Sequence, residues 1–202
     1  ICIAAQSIGI TPIVRIPSHD GYYANRILDA GAMGIVAPHV NSAEEARAVV
    51  NACKFAPFGE RSVAGNWPQL GYQSYPADQV RRLLNETTTV VVMLETPEAI
   101  EHADEIAAVP GVDILHIGTT DLCDAMGKPG KFSDPAVEKA FERVIAACRA
   151  NGKVTGAGGL GTEINRALGS RKIDLGLEAG LAIVVLAIVL DRMTRIGVGG
   201  KK

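Results

Sequence analysis

The chain has 202 residues, of which 48% are hydrophobic and 21% charged, enough apolar side chain for one packed core and too much for a disordered segment. Its 20 Lys and Arg stand against 22 Asp and Glu, a net charge of -2, so it lacks the electrostatic footprint of a nucleic-acid or anionic-membrane binder. Small or neutral partners are expected.

The opening Ile1-Cys2-Ile3-Ala4-Ala5-Gln6 has neither the basic flank nor the long apolar stretch of a signal peptide, and reads as a chain whose beginning has been removed. Cysteines at 2, 53, 123 and 148 form no C-x-x-C pair and no zinc spacing, so reduced thiols in a cytoplasmic protein are expected. From Thr11 to about Val154 one rhythm repeats: a short apolar run, a polar or Gly/Pro cluster, then an amphipathic stretch. The runs are 12–16, 34–37, 90–94 and 112–117. After the first, Ser18-His19-Asp20 can cap a helix reaching about Ala30. After the second, Ser42 and Glu45 fit a capping box. After the third, Thr96-Pro97-Glu98 supplies a cap, an N1 proline and an early acid. After the fourth, Ser133-Asp134-Pro135 opens a helix over 136–150 that Asn151-Gly152 ends.

Such alternation predicts an α/β fold of parallel strands with right-handed crossovers, either a doubly wound sheet or a (β/α) barrel. Both carry their chemistry at the carboxyl ends of the strands. Residues 55–89 interrupt the rhythm, being rich in Gly, Pro, Asn and Gln with Trp67, Tyr72 and Tyr75. They read as a functional or partner-facing loop, or equally as a tolerated surface insertion.

Glu95 ends the run 90–94, and Asp121 stands just past the run 112–117. Their 26-residue interval is one strand-helix repeat, which puts both acids on one rim about 5 Å apart in strand spacing. Two converging carboxylates either share a proton or hold a cation. Hard oxygen ligands favour Mg2+ or Mn2+. For each acid alone, a place at a helix N-terminus is the competing explanation. Arg15 lies inside the apolar run 12–16, where an unpaired charge is costly, so it must meet an acid or a polar cavity. His39 stands at a strand end and could approach the rim, although ordinary variation there is the simpler reading, and His116 reads as a satisfied core histidine.

The string Val90-Val91-Val92-Met93-Leu94-Glu95-Thr96-Pro97-Glu98-Ala99, then Val112-Asp113-Ile114-Leu115-His116-Ile117-Gly118-Thr119-Thr120-Asp121-Leu122, closely resembles the HpcH/HpaI aldolase family. Pro12-Ile13-Val14-Arg15-Ile16-Pro17, Gly34-Ile35-Val36-Ala37-Pro38 and Pro57-Phe58-Gly59-Glu60-Arg61-Ser62 add to the match, which covers about residues 1–155. The resemblance implies a TIM barrel of the phosphoenolpyruvate/pyruvate-binding type, shortened at its N-terminus, in a homo-oligomer. It implies a metal-dependent class II aldolase cleaving a 4-hydroxy-2-oxo acid to pyruvate and an aldehyde. By that resemblance Glu95 and Asp121 hold the Mg2+ or Mn2+, and Arg15 contacts the keto acid and its enolate oxygen. Gly118, Thr119, Thr120 and Asp121 receive the carboxylate through main-chain amides. Met93 stands where the family often has Gln, and the family's D-x-E-H-G strand with its proton-transfer His has no counterpart before Ile1.

Residues 156–202 depart from that pattern and resemble the end of a glycine betaine/proline transporter permease. The alternative function is therefore a membrane-associated transport-permease-like fragment or an inactive chimera. The apolar run 180–190 has 11 residues, short of the roughly 20 that span a bilayer. Gly156-Ala157-Gly158-Gly159-Leu160-Gly161 fits G-x-G-x-x-G, but Asp174 precedes the following apolar run instead of ending it, which argues against a dinucleotide site.

Overall fold

The computed structural model of the chain describes residues 1–63 and 65–157. Five strands form one sheet: β1 (Ile13–Arg15), β2 (Gly34–Ala37), β3 (Thr89–Leu94), β4 (Ile114–Ile117) and β5 (Val154–Ala157). They lie in chain order, every neighbouring pair parallel. A doubly wound sheet reverses its strand order at a switch point. Among the described residues there is none, so the five strands are the wall of a (β/α) barrel.

The helices are α1 (Cys2–Ser7), α2 (Gly21–Asp29), α3 (Ala43–Cys53), α4 (Ala77–Thr87), α5 (Pro97–Glu101), α6 (Ala103–Ala107), α7 (Thr119–Ala125) and α8 (Pro135–Ala150). Four begin at the caps expected from sequence: Asp20 accepts from the Tyr22 N–H, Ser42 from Glu45, Thr96 from Ala99 and Asp134 from Ala136. The Glu45 carboxylate reaches back to the Asn41 N–H at 2.6 Å, one residue before the reciprocal partner of a standard capping box.

Strand side chains alternate between two faces. Ile35, Ala37, Val90, Val92, Leu94, Leu115 and Ile117 are wholly buried against Leu28, Val49, Ile106, Val144 and Ala147 of the helices. The other face carries Arg15, Val36, Val91, Met93, Ile114 and His116, in lateral register across the sheet. His116 is half-buried on that concave face, not enclosed in the helix-covered core as expected. Its neighbour in register is Gly156, where a Cβ would stand 2.7 Å from the imidazole Nδ1.

Residues 55–89 are not a loose excursion. They contain a 3-10 turn (Pro68–Leu70), α4, and a second apolar cluster of Phe55, Trp67, Val80 and Leu84. Arg61 lies over the Phe55 and Trp67 rings, at 4.9 and 4.5 Å, and donates to Asp29 of α2 at 2.9 Å. Buried Lys54 donates to the Asn85 carbonyl at 2.8 Å and to the Thr88 carbonyl, tying α4 to the end of α3. Burial lowers the Lys54 pKa, opposed by the Asp113 charge 3.8 Å away, and raises that of Cys53 to about 12. All four cysteines are free. No helix among the described residues is long and apolar enough to cross a membrane. The run 180–190, the rest of the glycine-rich motif and the permease-like tail lie outside the described residues.

Candidate active site

The carboxyl ends of β1 to β4 make one rim. Arg15 is the last residue of β1, His39 follows β2, Glu95 follows β3 and Gly118 follows β4. Glu95 continues the parity of Val91 and Met93 and so turns to the concave face, where Arg15 and His116 also lie. It is 1% exposed. Its Oε2 accepts the His39 main-chain N–H at 2.8 Å and lies 2.9 Å from His39 Nδ1. Its Oε1 is buried with no hydrogen-bond partner among the described residues, and the nearest cation is the Arg15 guanidinium at 3.8 Å. A buried carboxylate oxygen left in that state is costly, and calls for a cationic or hydrogen-bonding partner.

Two neighbours shape the space around Oε1. Arg15 Nε donates to Met93 Sδ at 3.4 Å, which orients the guanidinium along the rim. A Cβ at Gly118 would stand 2.5 Å from Glu95 Cγ and 2.7 Å from Oε1, so only glycine leaves the carboxylate its place. The pairing expected of Arg15 is thus met by Glu95. Burial lowers the His116 pKa, while the Glu95 charge opposes the shift.

Asp121 occupies the first turn of α7 and is exposed. It satisfies the helix-terminus explanation, and it stands three residues past Gly118, whose N–H bonds the Leu94 carbonyl across the two strand ends. The first intrahelical bond of α7 runs from the Leu122 N–H to the Gly118 carbonyl. The preceding amides of Thr119, Thr120 and Asp121 are therefore the free donors of a helix start. No group of three or more His, Cys, Asp or Glu is placed to hold a metal among the described residues.

Sequence reasoning undervalued His39. It is one of two non-glycine residues with positive φ among the described residues, at 54°, a conformation rare for a side-chain-bearing residue. That turn brings both its N–H and its ring to Glu95. The available signal was a histidine immediately beyond a strand end.

A family profile described as HpcH/HpaI aldolase/citrate lyase matches residues 2–183. A 4-hydroxy-4-methyl-2-oxoglutarate aldolase of Hapsidospora irregularis is 44% identical over 162 residues, covering 79% of this chain and 60% of that protein. One of the same description from Chaetomium globosum is 43% identical over the same span, again 79% and 60%. The solved structure of an HpcH/HpaI aldolase from Desulfitobacterium hafniense superposes with a TM-score of 0.74 at 28% identity, covering 93% of this chain and 75% of that one. The chain spans about 60% of the length of the two curated relatives. None of these comparisons supports the transport-permease resemblance of residues 156–202.

Proposed function

Since the chain belongs to the HpcH/HpaI aldolase/citrate lyase family, we propose that it is a metal-dependent class II aldolase. The reaction is reversible cleavage of a 4-hydroxy-2-oxo acid to pyruvate, or a close analogue, and an aldehyde. The observation that carries this reading is the Glu95 carboxylate, buried at the strand-end rim with Oε1 unbonded among the described residues and Arg15 3.8 Å away.

Glu95 and Asp121 would hold a divalent cation, and the donor set fits one: two carboxylates without a thiolate match the hard-ligand preference of Mg2+ or Mn2+. When bound, such an ion supplies Lewis-acid polarisation of the 2-oxo group. The protein groups bind and orient. Arg15 faces the 2-oxo oxygen with a charge that strengthens its interaction as electron density accumulates there during breakage of the C3–C4 bond. The amides of Thr119, Thr120 and Asp121 receive the substrate carboxylate, as acceptors suit the open N–H groups of a helix start; the Gly118 N–H, also expected there from the sequence, is instead engaged by the Leu94 carbonyl. Self-association into a homo-oligomer is part of the same proposal. The permease-like alternative draws no support from the family match or the relatives.

The test is release of pyruvate, coupled to lactate dehydrogenase, from 4-hydroxy-2-oxovalerate, which yields acetaldehyde beside it, and from 4-hydroxy-4-methyl-2-oxoglutarate, whose carbonyl product is a second pyruvate in place of an aldehyde. Turnover that needs Mg2+ or Mn2+, stops with chelator and is lost in Glu95→Ala is expected. No release from any such acid with either ion, or equal turnover by Glu95→Ala, would contradict it.

A further inference from the structure

We infer that His39 is a positioning residue that locks one oxygen of Glu95 so that the other is presented for cation binding; this rests on the proposed reading of Glu95 as a ligand. Three observations converge. Oε2 is engaged twice by one residue, through the main-chain N–H at 2.8 Å and the ring Nδ1 at 2.9 Å. Oε1, on the same carboxylate, is buried and unbonded among the described residues. His39 itself is held at φ 54°, a left-handed conformation that is strained outside glycine and concentrates at functional sites.

The geometry divides the labour of the carboxylate. A freely rotating Glu would offer either oxygen and lose side-chain entropy on binding an ion. With Oε2 clamped, that loss is taken on folding. The Gly118 backbone closes the other side, since any Cβ there would meet Oε1 at 2.7 Å. The clamp needs a proton on Nδ1, which the neutral Nδ1–H tautomer and the doubly protonated ring both supply. Nε2 is then left facing outward, on a side chain that is 59% exposed. Residues that orient a ligand in this way typically govern about 10- to 100-fold in metal affinity.

The two parts of the clamp can be separated. His39→Gly keeps the main-chain donor and accepts positive φ without strain, but removes the ring. His39→Asn tolerates the left-handed region and returns a side-chain N–H donor. Mn2+ alone is titrated into the full chain, and free Mn2+ is followed by electron paramagnetic resonance. Wild type is expected to bind and Glu95→Gln to lose binding. His39→Gly should bind about 10- to 100-fold more weakly, with a thermal midpoint no lower than wild type because backbone strain is relieved. His39→Asn should recover most of the affinity. Wild-type affinity in His39→Gly, with binding lost in Glu95→Gln, would overturn the role of His39 and leave Glu95 a ligand. A His39→Asn affinity as weak as that of His39→Gly, or a fall in the His39→Gly midpoint, would likewise overturn it. Undiminished binding by Glu95→Gln would remove the ligand reading on which the inference stands.

Discussion

At position 118 a single methyl group decides whether Glu95 can keep its place. The Gly118 backbone, at φ -78° and ψ 82°, is not in the left-handed region, so Gly118→Ala tests steric exclusion without imposing backbone strain there. The added carbon would sit 2.5 Å from Glu95 Cγ, and overpacking of this kind costs about 1–3 kcal/mol. Gly118→Ala is therefore expected to lower the midpoint of chemical denaturation and to abolish Mn2+ binding together. Arg15→Lys probes the opposite wall. A lysine cannot reproduce the planar fork that bonds Met93 Sδ while facing Glu95, and pyruvate affinity in the presence of Mn2+ should fall about tenfold, the loss of one charge-assisted hydrogen bond. Arg15 and Glu95 were legible in the sequence because a charge inside an apolar run and an acid at a strand end are each conspicuous. The place of His39 at a strand end was visible too, but its hold on Glu95 was not, because nothing in a lone histidine signals a positive φ.

Among the elements, legibility followed the caps. The helices anticipated from sequence, α2, α3, α5 and α8, begin at Asp20, Ser42, Thr96 and Asp134, each accepting a main-chain N–H. Those that went unread, α1, α4, α6 and α7, begin at Ile1, Pro76, His102 and Gly118 with no side-chain cap. For α4 the apolar signal was also thin, with Val80 and Leu84 its buried residues, and the partners that give it meaning, Phe55 and Trp67, lie far back in the chain. Arg61→Ala removes the cation held over those rings and its bond to Asp29. A loss of about 2 kcal/mol is expected for a desolvated cation–π site, read as a lower denaturation midpoint. The α8 cap gives a pH signature. Hydrogen bonds from Lys128 and from the Ala136 N–H hold the Asp134 pKa below the ordinary aspartate value. A depressed folded pKa means that its stabilisation is complete above the unfolded value and is lost as pH falls through the folded one. Asp134→Asn should therefore flatten the acid side of the stability profile, measured by denaturant midpoints against pH.

Over the molecule as a whole, alternation of apolar runs and capped helices was enough for parallel strands and crossovers, but not for choosing between barrel and doubly wound sheet. That choice depends on which face each crossover covers, and runs such as 90–94 are apolar at every position. Strand order decides it: β1 to β5 run in sequence, with the helices on one face and the rim residues on the other. The concave face is then where Arg15, Met93, Glu95 and His116 converge, drawn from three separate strand ends. The central claim is that this rim binds a divalent cation and a 2-oxo acid together. Isothermal titration of pyruvate into the full chain, with and without Mn2+, in wild type and Glu95→Ala, tests it most directly. The account predicts Mn2+-dependent pyruvate binding by wild type and none by Glu95→Ala. Equal binding by the two proteins, or pyruvate binding by wild type that is indifferent to Mn2+, would contradict it.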